Sequence, residues 1–287
     1  MASNFPSSLD TFTNPSSTDA MDSVSVPHAT QHSDLNDAVE ALQAKVGADS
    51  SAVTTSIDYQ LNTGYRYHST VYFTSSGSFT KASYPWLRAI RVKMVGGGGG
   101  GGGSANTGAG EMSVGGGGAG GCYAESFITN IAGLSASETV TVGAAGVGVT
   151  GANGTDGGTS SFGSLVSAVG GNNGNLGTAG APLVAYGAGG TGGGTATGDL
   201  RISGMTGLYG FALTLNSRAL TGGGGDSHLG AGVRPSMRSG QSSGNNANSD
   251  DYGGGGGGAA NADENQAAGA QAGGNGGPGI VIVELYA

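Results

Sequence analysis

The side chains that could bind a metal or act as nucleophiles are few and scattered. His28 and His32 lie four residues apart, so symmetry-related copies around an axis could bring several imidazoles together on a metal. Ordinary flanking positions before a helix explain the same pair, and we predict no metal. The single cysteine, Cys122, lies between Gly121 and Tyr123 without a base or metal ligand beside it, which predicts a small packed residue.

Glycine-rich motifs give no support for a cofactor site. Matches to the dinucleotide fingerprint are unavoidable among 63 glycines, and no glycine tract continues into the Lys and Ser or Thr of a phosphate-binding loop. The segment 154–158 is similar to a calcium-binding repeat, but it does not recur in register, so Asp156 and Asp226 are interpreted as turn residues. We therefore expect no cofactor and no enzyme activity, with a glycan hydrolase kept as a minor alternative.

Composition limits the kinds of core that this chain can build. Of 287 residues 63 are glycine, only 6% are aromatic and 10% are charged. Glycine buries little apolar surface and loses the most backbone entropy on folding, so a conventional core cannot stabilise the whole chain. Either the glycine-rich part is disordered, or hydrogen bonds between closely packed backbones replace side-chain burial. The apolar closing strand expected at 279–286 favours the second alternative.

Four glycine tracts, 96–103, 115–118, 222–225 and 253–258, indicate how such a backbone could pack. Polyproline II geometry directs every N–H and C=O outward, and only glycine lets these helices lie side by side. A tract of eight residues would extend roughly 25 Å. The tracts lack a strict Gly-X-Y period, which disfavours collagen. We predict polyglycine II packing.

The formal net charge of −9 and the pI of about 4.6 disfavour nucleic acid and anionic membranes as partners, since both attract clustered cations. No apolar stretch is long enough to span a bilayer. The first residues lack the basic and apolar regions of a signal peptide, which predicts a protein held in the cytoplasm until it is released by other means.

A helix is predicted after Ser33, which we expect to be its N-cap, and it ends before Gly47. Its apolar residues follow a coiled-coil spacing of four, three and four. Two heptads are marginal alone, so the seam must pack either on identical helices or on the rest of its own domain, and we favour self-association as a homotrimer. The expected oligomerisation residues are Leu35, Val39, Leu42 and Val46.

Period-two alternation follows from Tyr65 to Val95, where Ile90, Val92 and Met94 alternate with charged residues. Short strands are also expected at 127–128, 140–142 and 161–166. The fold class is mainly β and irregular, with a small β region and a glycine-rich domain that has polyglycine II packing. The predicted organisation is an extended arm at 1–32, a short coiled-coil-like helix and linker at 33–64, the β region at 65–95 and the glycine-rich domain at 96–287.

Three segments resemble the leader of phage and prophage minor tail or fibre proteins: residues 5–10, 27–32 and 37–47. The remainder is similar to the glycine-rich domain of phage tail fibres and adhesins, through the polyglycine, the segment 157–163 and the closing segment 276–284. In some of those adhesins a sandwich of polyglycine helices carries exposed loops that bind host receptors. Whether this chain forms that sandwich or a fibre trimer stays open.

The resemblance implies a virion protein of the phage tail, assembled in the host cytoplasm, that binds other tail proteins through residues 1–32. Its function would be attachment to a host surface glycan or outer protein; an architectural virion component without receptor binding and a fibre-borne glycan hydrolase are the alternatives. Inserts between glycine tracts would carry recognition, because loops adapt where packed backbone cannot. The candidate receptor-binding residues are Tyr186, Tyr209, Phe211, His228, Arg234, Arg238 and Tyr252.

Overall fold

The computed structural model describes residues 18, 20, 24, 28–48, 51–182, 186–194, 196–213, 218–248, 250–263 and 265–287. The chain divides into two compact units, Met1–Arg66 and Tyr67–Ala287. Most of the arm expected at 1–32 lies outside the described residues. The strands of the expected β region share sheets with strands of the glycine-rich region, so these two regions form one compact unit. That unit begins at Tyr67.

The first unit contains helix α1, His28–Val46, and helix α2, Ile57–Thr63. The prediction that Ser33 caps α1 is wrong: the helix begins five residues earlier, at His28, so Ser33 is an interior residue. The predicted end is confirmed. Gly47 has a φ of +87° and its N–H donates to the carbonyl of Gln43 at 2.8 Å, the left-handed C-terminal conformation that favours glycine.

Helix α2 was not anticipated, although its sequence carries a start signal. Ser56 is the N-cap, and its Oγ accepts from the N–H of Tyr59 at 3.1 Å. Asp58, in the first turn, accepts from the N–H of Ser51 at 2.9 Å and so fixes the chain entering the helix.

The second unit is built of short strands joined by irregular segments, which confirms a mainly β and irregular fold. The strands are β1 Tyr67–Phe73, β2 Gly77–Thr80, β3 Ala89–Val95, β4 Ser113–Val114, β5 Tyr123–Ile128, β6 Ser137–Thr141, β7 Ser160–Phe162, β8 Val166–Ala168, β9 Tyr186–Gly187, β10 Leu200–Ile202, β11 Gly210–Leu213, β12 Arg218–Leu220, β13 Met237–Arg238, β14 Gln241–Ser242, β15 Ala260–Asn261 and β16 Ile280–Tyr286.

These strands form four antiparallel sheets. The largest has the order β1-β16-β3-β5-β10, so the closing strand β16 lies between β1 and β3 and is hydrogen-bonded on both edges. The others have the orders β2-β6-β7-β8, β14-β15-β4 and β13-β12-β11-β9.

The predicted alternation in β3 is confirmed. Ile90, Val92 and Met94 are fully buried, and they pack with Val281, Val283 and Leu285 of β16 in the main apolar core, while Arg91 and Lys93 are only half-buried. The core is completed by residues from the neighbouring sheet, including Phe79 and Phe162. A conventional core therefore covers one face of the large sheet.

The glycine tract 96–103 lies at the centre of the rest of the unit. Its N–H groups donate in rotation to three antiparallel segments, 116–122, 152–158 and 274–277, at 2.8 to 3.0 Å. Every third N–H group donates to the same segment. Its carbonyls accept from residues 171–177, 256–259 and Gly146. A chain with a threefold repeat and neighbours on all sides is the arrangement of polyglycine II, as the sequence predicts.

A second stretch, residues 115–122, repeats the pattern. It donates to residues 253–259, 169–175 and 205–208, and it accepts from residues 96–102, Gly190 and the segment 222–225. The two central stretches are also neighbours of each other. We call the whole set of mutually hydrogen-bonded glycine segments the glycine lattice.

Glycine is required in the lattice because the backbones touch. A Cβ atom at Gly99 would lie 2.1 Å from the carbonyl oxygen of Asn172, and one at Gly118 would lie 2.1 Å from that of Gly99. At the rim, side-chain oxygens take the place of a missing neighbour. Asp156 accepts from the N–H of Asn173 at 2.8 Å and Asp226 from the N–H of Gly232 at 2.7 Å, so these two aspartates bridge lattice segments instead of making turns.

Candidate recognition surface

One small sheet carries an exposed apolar surface on the glycine lattice. In the sheet β13-β12-β11-β9, the inner positions are small and buried: Gly187, Ala212 and Ala219. The two alanines pack with Met112 and Val114. Because successive side chains of a strand point to opposite faces, the intervening residues must face outward.

The outward residues form a continuous row across the four strands. Phe211 lies directly opposite Tyr186 on one side and Leu220 on the other, and Leu220 lies opposite Met237. Tyr186 is 54% exposed, Phe211 49% and Met237 52%. Tyr209 stacks near Phe211, with the ring centroids 6.0 Å apart. We call Tyr186, Phe211, Leu220 and Met237 the apolar row.

The sheet that carries this row is held by backbone contacts. Gly210 pairs with Gly187, and a Cβ at Gly210 would lie 2.3 Å from the carbonyl oxygen of Gly115 in the lattice. Large residues on the inner side would separate the sheet from the lattice. The small inner residues therefore let the sheet lie close to a rigid support, and the outer side chains are presented on a fixed backbone.

Three of the predicted receptor-binding residues, Tyr186, Tyr209 and Phe211, are thus brought together. Leu220 and Met237 were not among the residues predicted to bind a receptor. The alternation of small and large residues in Ala219-Leu220 is a weak sign of a strand, but the pairing that aligns these residues with Phe211 is a tertiary feature.

The remaining candidates lie elsewhere. The ring of His228 packs on Tyr123 with the centroids 4.3 Å apart, and Tyr252 is half-buried against the cluster of Val95, Tyr123 and Ile280. Arg238 pairs with the inner residue Ala219, and its Nη2 donates to Asn245 Oδ1 at 3.2 Å. These three side chains contact neighbouring parts of the fold.

Arg234 is exposed and lines a surface cavity of about 230 Å³ at the rim of the lattice. The predicted oligomerisation seam is also exposed: Leu35, Val39, Leu42 and Val46 are between 44% and 57% accessible in the single chain.

The outer face of the large sheet carries a cluster of charges. Lys93 donates to Glu284, while Arg91 lies 3.6 Å from Glu125 and 4.0 Å from Glu284. Tyr123 donates to Glu125 at 2.6 Å. Two cations thus face two carboxylates, and the cluster is locally neutral.

The titration behaviour of this cluster follows from these contacts. Burial alone would raise the pKa of Glu284, but hydrogen bonds from Lys93 and Tyr286 hold its pKa below the ordinary 4.5. Burial, and then the hydrogen bond to Glu125, raise the pKa of Tyr123 well above its ordinary value. A carboxylate held in its charged form accepts hydrogen bonds, whereas a glycosidase acid needs a raised pKa. Glu284 is therefore unsuited to act as a general acid.

Within the part of the chain that the structure describes, no three His, Cys, Asp or Glu side chains cluster to hold a metal ion. His28 and His32 both lie in α1, one turn apart. Cys122 is buried and its Sγ donates to the carbonyl of Gly194 at 3.3 Å, in agreement with its prediction as a small packed residue. Among the described helices, none combines the length and apolar character of a membrane span.

Comparison with known proteins supports the glycine-rich architecture. A search of curated proteins finds no match. The profile of a glycine-rich domain family matches residues 74–286, a range that contains the glycine lattice and all strands from β2 to β16. The chain therefore belongs to this glycine-rich domain family.

Proposed function

We propose that this protein is a structural component of a bacteriophage tail, a fibre or adhesin protein that attaches the particle to the host cell surface. The observation that carries the proposal is the apolar row on its rigid support. Large apolar side chains standing together on a protein surface mark interaction sites, and aromatic residues dominate the energetics of such sites.

The glycine lattice supports this function through preorganisation. Its segments are fixed by backbone hydrogen bonds on several sides, so a surface built on it loses little conformational freedom when a partner binds. The partner would be a surface glycan or an outer protein of the host. Attachment is the role proposed for the row, because it is built from large apolar side chains and holds no His, Cys, Asp, Glu or Lys.

Self-association would strengthen attachment. The exposed seam of Leu35, Val39, Leu42 and Val46 is suited to a homotrimeric coiled coil. Three identical chains would present three apolar rows to a surface on which receptors repeat, and linked weak contacts raise the overall affinity by orders of magnitude. Residues 1–32 would join the protein to the rest of the tail, as the resemblance of the leader implies.

The proposal is tested by locating the protein on the virion. Antibody against residues 200–250, which include Phe211, Leu220 and Met237, should label the tail by electron microscopy and should block adsorption of the phage to its host. Labelling of the particle body without any effect on adsorption would instead indicate an architectural component. Release of sugar from host surface polymer by the purified protein would indicate a glycan hydrolase.

A further inference from the structure

The cavity beside Arg234 is lined by three segments of the lattice rim, 205–208, 224–226 and 231–235. At about 230 Å³ the cavity is smaller than the roughly 300–1,000 Å³ of sites for drug-sized ligands, so its size suits a small ligand with a single ring. The apolar row and this cavity both involve the segment that runs from Met205 to Phe211.

The walls of the cavity are fixed before any ligand binds. The N–H of Leu208 donates to Gly223 at 2.8 Å, that of Met205 to the carbonyl of Asp226 at 2.8 Å, and that of Gly224 to Val233 at 2.7 Å. Backbone hydrogen bonds therefore join each lining segment to another lining segment or to the residue next to it. A site of this kind needs little reorganisation to bind even a small ligand.

The lining combines apolar surface with two opposite charges. Met205, Leu208, Val233 and Pro235 supply the apolar part. The carboxylate of Asp226 uses Oδ1 to accept from Gly232, which leaves Oδ2 for a ligand. Arg234 is exposed and makes no ion pair or hydrogen bond with any described residue, so its guanidinium donors are available.

From these features we propose that the cavity binds one neutral sugar residue of a host surface glycan. This inference rests on the proposed attachment function and names its ligand class. A pyranose has C–H groups that pack on apolar side chains and a rim of hydroxyls that donate to a carboxylate and accept from a guanidinium. The net charge of −9 repels anionic polymers at long range, which favours a neutral sugar over an acidic one.

The test uses the full chain and saturation-transfer NMR with a panel of glucose, galactose, mannose, rhamnose, N-acetylglucosamine and N-acetylgalactosamine. We expect at least one sugar to receive saturation, mainly on its ring C–H protons. Asp226→Asn and Arg234→Gln should each weaken its binding about tenfold, because each removes a hydrogen bond to a charged group. In Asp226→Asn the amide oxygen still accepts from Gly232, so the wall is kept.

Arg88→Gln is the matched control, because Arg88 is another exposed arginine and does not line the cavity. It should leave sugar binding unchanged. The inference fails if no sugar in the panel receives saturation, or if both cavity variants bind as the wild type does. If no sugar binds while the protein still blocks phage adsorption, the cavity proposal is wrong and the attachment function stands. If a sugar binds in the cavity but the protein does not block adsorption, the cavity is a sugar site and the attachment function is wrong.

Discussion

Replacing Gly99 by alanine should destabilise the glycine lattice far more than an ordinary glycine substitution. The new Cβ would lie 2.1 Å from the carbonyl oxygen of Asn172 and 2.6 Å from its carbon, and both are backbone atoms that other hydrogen bonds hold in place. An ordinary van der Waals contact begins at about 3.4 Å. The two segments must therefore separate by more than an ångström.

That separation would lengthen or break three hydrogen bonds. Gly99 donates to Ala119 at 2.9 Å and accepts from Gly256 at 2.9 Å, and Asn172 accepts from Ala119 at 2.8 Å. At about 1 kcal/mol each they contribute about 3 kcal/mol, and forcing an extra carbon into a packed interior costs about 1–3 kcal/mol more. We expect a loss of about 4–6 kcal/mol, which lowers the melting temperature of a domain of this size by about 10–20 °C.

Thermal unfolding followed by the fluorescence of Trp86 measures this loss, because the single tryptophan packs against the main core of the same unit. Gly240→Ala is the matched control, since a Cβ there meets nothing within 4 Å. Gly110→Ala is an intermediate case: the space is open but φ is +86°, so only backbone strain of about 1 kcal/mol is expected. If Gly99→Ala and Gly240→Ala have the same melting temperature, the backbones do not pack as closely around Gly99 as described.

Two further predictions concern the charge cluster and the helix seam. The pKa of Glu284 is lowered in the folded state, so the contribution of its charged carboxylate to stability is present above about pH 4.5 and is lost as the pH falls through the lower folded value. The variant Glu284→Gln should therefore be less stable than the wild type at neutral pH, and its stability should fall less on acidification. Urea unfolding at pH 7 and pH 3 measures both effects. The double variant Leu35→Asp, Leu42→Asp should convert a trimer into a monomer in light scattering, since it places charges in the seam; a wild-type monomer would contradict self-association through α1.

The sequence was most informative where side chains repeat or where glycine excludes them. Period two placed Ile90, Val92 and Met94 on the buried face of β3, and the apolar segment after Gly279 predicted β16. The glycine tracts predicted polyglycine II packing because backbone groups without covering side chains must bond to other backbones. The end of α1 followed from Gly47.

The errors have physical causes. Ser33 was interpreted as a cap, but a serine is tolerated inside a helix at a small cost, and the good helix formers Ala29 and Gln31 precede it. The partners of each glycine tract could not be predicted, since glycines carry no side chains that distinguish one neighbour from another. The sequence could nominate Tyr186 and Phe211 but could not show that β9 and β11 place them opposite each other, because the pairing of distant strands is a tertiary feature.

The most direct test of attachment through the apolar row is a competition between purified protein and phage for host cells. Wild-type protein should reduce adsorption in a concentration-dependent manner. The double variant Tyr186→Thr, Phe211→Thr should lose that effect with little change in melting temperature, because both side chains are about half exposed and threonine is well accepted in strands. Arg88→Gln should compete as the wild type does. If the wild type does not compete, or if the double variant competes equally well, the row is not the surface that attaches the particle to its host.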